Sequence, residues 1–118
     1  MTKKLISIVV PIYQEGAVLR QLIERLDSVT NTLPEYDWRY VLTNDGSVDN
    51  TWTEIKKLSS ENSRIVGIDF SRNFGKEIAL TAGVHLAKDS DAVICIDADL
   101  QHPPELIPQM ISNWCEGA

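Results

Sequence analysis

Apolar and polar positions follow two alternating periods along the chain, which predict a regular succession of strands and helices. Leu5 to Val10 is a nearly continuous apolar run rich in Ile and Val that ends at Pro11. Such a run is typical of a strand buried on both faces. Similar short runs predict three further strands at 38–43, 64–70 and 92–96.

Between these runs, apolar residues recur every three or four positions, as on one face of a helix. Asp49 is a predicted cap of the second helix, and a last helix is predicted to begin near Pro104. The predicted buried faces are Val18, Leu22, Leu26 and Val29 in helix one, Trp52, Ile55 and Leu58 in helix two, and Ile78, Ala82 and Leu86 in helix three.

Strands that alternate with helices over short links predict an α/β fold with a mainly parallel sheet and helices on both faces. The 118 residues suit one domain. In a parallel sheet all strands end at one edge, where open α/β sheets bind their ligands. Polar clusters follow each predicted strand, so the spacing predicts a ligand site at the carboxyl edge.

Charge and cysteine content narrow the choice of ligand. The net charge of −6 and the pI of about 4.8 argue against nucleic acid, which requires clustered Lys and Arg. A phosphate-bearing ligand remains compatible, because a bound divalent cation reverses the local sign. Cys95 and Cys115 match no metal spacing, lie among apolar residues and are expected to be buried free thiols.

Asp97 and Asp99 follow the fourth predicted strand and are separated by the small residue Ala98. In an extended segment, residues two apart point the same way at about 7 Å, so their carboxylates can share a hard cation. Mg²⁺ and Mn²⁺ accept such oxygen ligands together with substrate phosphates. The alternative is a solvated acidic turn.

The other clusters allow a structural and a functional interpretation. Asp45 either stabilises its Asn-Asp-Gly-Ser turn or accepts a hydrogen bond from a nucleoside, and Tyr13 is either a core ring or a stacking face for a base. Glu15 is either a first-turn acid or a ribose contact. Arg72 and Lys76 either hold phosphate or balance surface acids.

Four segments, VPIYQE, NDGSVDNT, SRNFGKE and DADLQHPPE, together resemble the inverting glycosyltransferases of family 2, which have the Rossmann-like GT-A fold. The resemblance spans essentially the whole chain. It implies that Pro11, Tyr13, Glu15 and Asp45 line a nucleoside site and that Asp97, Ala98 and Asp99 lie at the diphosphate. Asp97, Asp99 and Gln101 would be the metal ligands.

The last two segments resemble the branch that includes bactoprenol glucosyltransferases and dolichyl-phosphate mannose synthases. These enzymes transfer a sugar from UDP-glucose or GDP-mannose to a polyprenyl phosphate. Family members continue with an acceptor-binding half and often with membrane helices, so residues 1–118 are expected to be the donor-binding part only. The resemblance provides no position here for a catalytic base.

We therefore expect a cytoplasmic donor domain that is inactive alone, belongs to a protein at the cytoplasmic face of the membrane, and self-associates through an exposed sheet edge. Two alternatives from other classes are a non-catalytic receiver-like module with an acidic Mg²⁺ pocket and a regulatory nucleotide-binding module. A receiver would require an acidic pair after strand one, where this chain has Gln14 and Glu15.

Overall fold

Strands and helices alternate along the chain in the computed structural model, which describes residues 3–13, 16–46, 50–70, 75–96 and 107–115. The elements of the described residues are β1 Lys4–Ile12, α1 Gly16–Thr30, β2 Tyr36–Asn44, α2 Thr51–Glu61, β3 Ile65–Asp69, α3 Lys76–Leu86, β4 Ala92–Cys95 and α4 Ile107–Cys115. A short 3₁₀ turn, Ala87–Asp89, leads from α3 to β4. The sheet has the strand order β3-β2-β1-β4 with every pair parallel, as predicted.

Helices cover both faces of the sheet, which explains why β1 is apolar at successive positions. Ile6, Ile8 and Val10 belong to the main core together with residues of α1, α2 and α4. Val9 points to the opposite face, where it packs in a smaller cluster with Val41 and Ala87. Because successive side chains of a strand point to opposite faces, a strand between two helical layers requires apolar residues throughout.

The prediction that α3 buries Ile78, Ala82 and Leu86 is wrong. Ile78 and Leu86 are exposed and Ala82 is only partly buried, whereas Ala79 and Gly83 are buried. A Cβ on Gly83 would lie 2.4 Å from Val9 Cγ1, so the helix backbone rests directly on the sheet. The small residues face the sheet because only they permit this close approach.

The first strand continues beyond Pro11, which was expected to end it. Ile96 N–H donates to Val9 O, and Asp45 N–H donates to Ile12 O. The backbone N–H and C=O groups of odd-numbered residues in β1 therefore point toward β4, and those of even-numbered residues point toward β2. The nitrogen of Pro11 therefore points toward β4, whose last paired residue, Cys95, lies opposite Val9. The absent N–H of Pro11 thus interrupts no hydrogen bond of the ladder.

Two further predictions of burial need correction. Val18 in α1 is exposed, and Leu19 and Ile23 complete the buried face beside Leu22 and Leu26. Cys95 is a free but exposed thiol at the end of β4, which is an outer strand of the sheet among the described residues. The side chain of Cys115 lies outside the described residues.

The predicted second and last helices agree better with the structure. Ile55 and Leu58 of α2 are buried, and Trp52 packs against the core while partly exposed. Asn50 occupies the cap position of α2, and Asp49 lies outside the described residues. Pro108 is the second residue of α4, within the first turn where proline is tolerated.

A network of hydrogen bonds between polar side chains lies toward the amino edge of the sheet. The Tyr40 hydroxyl donates to Asp27 Oδ1 at 2.7 Å and pairs with Thr30 Oγ1 at 2.8 Å. The Arg64 guanidinium donates to the same Asp27 oxygen at 3.2 Å. Burial raises the pKa of Tyr40 to about 12; the Thr30 bond opposes this increase and the Asp27 carboxylate adds to it. These bonds join α1, β2 and the start of β3 at the edge opposite the predicted ligand site.

Candidate functional site

The carboxyl ends of the four strands lie at one edge, and hydrogen bonds extend the sheet one residue beyond several of them. Asp45 N–H donates to Ile12 O at 2.8 Å, and Phe70 N–H donates to Asn44 O at 2.9 Å. Ile96, the residue before Asp97, is buried and donates to Val9 O at 3.1 Å. Residues that begin or immediately precede the predicted polar clusters after β2, β3 and β4 are therefore held at the same edge.

Tyr13 follows the last residue of β1 and is 43% exposed. That exposure excludes the core-ring interpretation and leaves part of the side chain accessible at the carboxyl edge. Pro11, two residues earlier, is buried within β1 and lies opposite Thr43 of β2. Pro11 therefore lies within the sheet, close to the carboxyl edge. Glu15 lies outside the described residues.

Asp45 is only 4% exposed, although aspartate is among the residues least often buried. Its Oδ2 atom accepts a hydrogen bond of 3.0 Å from the backbone N–H of Gly75. The next residue, Gly46, has φ of 71°, which favours glycine and supports the predicted turn. Asp45 therefore both belongs to its turn and contacts a residue 30 positions away.

A second carboxyl-edge pair was missed by the sequence interpretation. Asn44 Nδ2 donates to Asp69 Oδ1 at 2.8 Å, which connects the last residues of β2 and β3. Asn44 is almost fully buried, and its Oδ1 atom has no hydrogen-bond partner among the described residues. The signal in the sequence was a polar residue at the end of each of two neighbouring strands.

The basic candidates lie at or before the start of α3. Lys76 is the first residue of α3, and Gly75 precedes it with φ of 102°. The helix therefore begins at the carboxyl edge, where the exposed N–H groups and the positive end of a helix favour anions. The Lys76 side chain and all of Arg72 lie outside the described residues.

The acidic candidates Asp97, Ala98 and Asp99, and with them Gln101, also lie outside the described residues. Their carboxylate and amide oxygens are donors that Mg²⁺ and Mn²⁺ accept, so the chemistry of the set fits such an ion. Within the described part of the chain, no group of three or more His, Cys, Asp and Glu side chains could hold a metal ion.

Two cavities lie away from the carboxyl edge. One of about 390 Å³ is at the amino edge of the sheet, where Asn31, Trp38 and Arg64 line it together with Lys3. The other, of about 310 Å³, lies between β4 and α4 and is lined by apolar residues including Met110. Neither includes a residue that the sequence singled out as a ligand contact.

A parallel α/β sheet with buried and exposed polar side chains gathered at its carboxyl edge has the arrangement of nucleotide-binding domains. Residues 7–118 match the glycosyl transferase family 2, and the chain belongs to that family. Over the described ranges, no helix is both long and apolar enough to cross a membrane.

Known proteins agree with this assignment. The chain is 45% identical to the glycosyltransferase YkcC of Bacillus subtilis (strain 168), over 94% of this chain and 34% of that protein. It is 42% identical to the bactoprenol glucosyl transferase of Shigella phage SfV, over 96% of this chain and 36% of that protein. The chain thus spans about a third of the length of these relatives.

The fold is that of solved GT-A-type glycosyltransferases. The mannosyltransferase PcManGT of Pyrobaculum calidifontis, solved in complex with GDP-Man and Mn²⁺, superimposes with a TM-score of 0.73 at 17% identity. The superposition covers 90% of this chain and 30% of that one. At this identity the likeness establishes the fold, which confirms the predicted Rossmann-like α/β class.

Proposed function

We propose that this chain is the donor-binding domain of a glycosyltransferase that transfers a hexose from a nucleotide diphosphate sugar to a polyprenyl phosphate. The convergence of Tyr13, Asp45 and the start of α3 at the carboxyl edge is the observation that carries the proposal. The name of the phage relative supports a polyprenyl acceptor, and the nucleotide complex of the solved mannosyltransferase supports a nucleotide-sugar donor.

We assign the two parts of such a donor to two halves of the carboxyl edge. Tyr13, whose side chain is exposed, is assigned to the nucleoside together with Asp45 and Glu15. The β3–α3 loop and the helix start contribute Arg72 and Lys76, which are assigned to the diphosphate.

Asp97, Asp99 and Gln101 are assigned to a Mg²⁺ or Mn²⁺ ion, and Ala98 is assigned to the diphosphate. Such an ion, when bound, supplies positive charge that neutralises a departing diphosphate. The mannosyltransferase neighbour was solved with Mn²⁺, which supports the use of a divalent cation.

The transfer itself is proposed to be a displacement with inversion at the anomeric carbon. An acceptor phosphate oxygen forms the new bond to that carbon while the bond to the nucleoside diphosphate breaks. Because a phosphate is already ionised near neutral pH, it needs little help from a general base, and positioning together with charge stabilisation supplies most of the rate. We assign the residues that hold the acceptor to the kind of sequence that the longer relatives contain outside the matched third.

A polyprenyl phosphate resides in the membrane, so the complete protein is proposed to act at its cytoplasmic face, where nucleotide sugars are available. The alternative of a receiver-like module is disfavoured by the family match. A regulatory nucleotide-binding role would share the donor site and differ only in the absence of transfer.

Calorimetric titration of the chain with UDP and with GDP, each with Mn²⁺ or EDTA, tests the donor site. We expect binding that requires the metal and that Asp99→Ala weakens at least tenfold, the effect of losing about 1.4 kcal/mol. Asp37→Ala is the matched control, because Asp37 is an exposed aspartate at the amino end of β2. If Asp99→Ala binds nucleotide and metal as the parent does, the assignment of the metal site is wrong.

A further inference from the structure

Asp45 contacts three parts of the carboxyl edge. Its backbone N–H donates to Ile12 O at the end of β1, and the residue itself directly follows β2. Its carboxylate Oδ2 accepts the N–H of Gly75 at 3.0 Å, immediately before α3. One buried residue thereby joins the strand ends beside Tyr13 to the start of the helix that carries Lys76.

The hydrogen bond from Gly75 N–H to the Asp45 carboxylate is stronger than a hydrogen bond between two neutral groups. A carboxylate with 4% exposure has lost most of its water and requires donors within the protein. A backbone N–H that donates to an ionised carboxylate forms a charge-assisted bond, about twice as strong as a neutral one. The contact therefore restrains the position of the helix start relative to the sheet.

Gly75 is glycine because of its backbone conformation. Its φ of 102° and ψ of 153° lie in a region that L side chains rarely adopt. A Cβ at Gly75 would have no atom of the described residues within 4 Å, so crowding by these residues is not the reason. Gly75→Ala thus disturbs the backbone that presents this N–H without creating a clash in the described part of the chain.

We infer that Asp45 is a positioning residue that fixes the start of α3, so that the nucleoside half and the diphosphate half of the donor site are held at a set distance. This inference rests on the proposed function for its ligand. It assigns to Asp45 a role separate from any direct nucleoside contact. Disruption of the Asp45–Gly75 bond by a change at Gly75, which leaves the Asp45 side chain in place, should lower the affinity gained from the diphosphate and leave the affinity for the nucleoside alone unchanged.

The bond is tested first without any ligand, by comparing the unfolding of Asp45→Ala, Gly75→Ala and the double variant. We expect the double variant to lose less stability than the sum of the two single losses, because both changes break the same bond. Asp45→Asn retains an oxygen acceptor without the charge and should restore about half of the coupling with Gly75. Strictly additive losses would show that the two residues act independently, which would overturn the inference.

The consequence for binding is tested by measuring the affinities for uridine and UDP, and for guanosine and GDP, in the presence of Mg²⁺. For Gly75→Ala we expect the ratio of diphosphate to nucleoside affinity to fall about tenfold, as for loss of one charge-assisted bond. An equal loss for nucleoside and diphosphate, or no loss for either, would overturn the inference. Failure of the parent to bind any nucleotide would instead contradict the proposed function, and the unfolding comparison would still decide whether the bond couples the two residues.

Discussion

Replacing Gly83 with alanine brings two effects of opposite sign to one position of α3. Alanine is the better helix former by about 1 kcal/mol, so helix propensity alone predicts a more stable protein. However, the new Cβ would lie 2.4 Å from Val9 Cγ1 and 3.2 Å from Thr43 Oγ1. The structure therefore predicts that the sign of the change is decided by packing against the sheet.

The packing term is the larger of the two. Val9 is fully buried in a central strand, and its β-branched side chain has little freedom to rotate away. Ordinary carbon contacts are about 3.5–4.0 Å, so α3 must move outward by roughly 1 Å or more. Overpacking of this kind costs about 1–3 kcal/mol, which leaves a net loss of up to about 2 kcal/mol after the propensity gain of about 1 kcal/mol.

Urea unfolding of the parent, Gly83→Ala, Val9→Ala and the double variant measures these contributions. We expect Gly83→Ala to destabilise the parent, but to stabilise the Val9→Ala protein by up to about 1 kcal/mol, because the colliding methyl groups are gone. If Gly83→Ala stabilises the parent, or destabilises both backgrounds equally, the close approach of α3 to β1 is not the reason for this glycine.

Three further predictions concern other described residues. Thr43→Val should stabilise the fold by about 1–2 kcal/mol in urea unfolding, because Thr43 Oγ1 is buried without a hydrogen-bond partner among the described residues; a loss of stability would contradict this. The pKa of Tyr40 is raised from 10 in the unfolded chain to about 12 in the folded protein. The neutral Tyr40 hydroxyl therefore contributes its full stabilisation of the fold below pH 10. This contribution is lost between pH 10 and about 12, where the tyrosine of the unfolded chain is deprotonated first. The stability advantage of the parent over Tyr40→Phe should therefore shrink by about 1–3 kcal/mol over that interval, and an advantage that stays constant with pH would refute the assignment. Val93→Lys should reduce concentration-dependent association, measured by sedimentation, because β4 has no neighbouring strand on its outer side within the described residues and Val93 is exposed there. A parent protein that stays monomeric at high concentration would show that this edge does not self-associate.

The sheet and its ligand edge were predictable because both follow from local patterns. Continuous apolar runs such as Leu5 to Val10 identify strands between two helical layers, and the helical segments between them require parallel crossovers. Once the strands are parallel, Tyr13, Asp45 and the start of α3 must lie at the same edge. This convergence of residues at one edge can therefore be predicted without knowledge of individual contacts.

The face of α3 was not predictable in the same way. Its residues are apolar on nearly every side, with Ile78, Val84 and Leu86 exposed, so periodicity cannot select the face that packs. The buried positions are Ala79 and Gly83, whose small size matters only because of how closely the helix approaches Val9. Residue size, rather than hydrophobicity, was the informative signal.

Contacts between segments that are distant in the sequence could not be predicted either. The bond between Asp45 and Gly75 joins residues 30 positions apart and depends on where α3 begins. The Asn44–Asp69 pair depends on the register of β2 against β3, which brings these two residues directly opposite each other. A single sequence gives the order of such strands but not the register of their side chains.

The central claim is that a nucleotide diphosphate binds at the carboxyl edge, and amide chemical shifts during titration with UDP or GDP and Mg²⁺ test its location most directly. We predict that the largest changes fall on Tyr13, Asp45 and Gly75, at the ends of β1 and β2 and before α3. Amides that line the cavity at the amino edge, such as Asn31 and Arg64, should remain unchanged. Changes concentrated at that amino-edge cavity, or no changes at saturating nucleotide, would contradict the account.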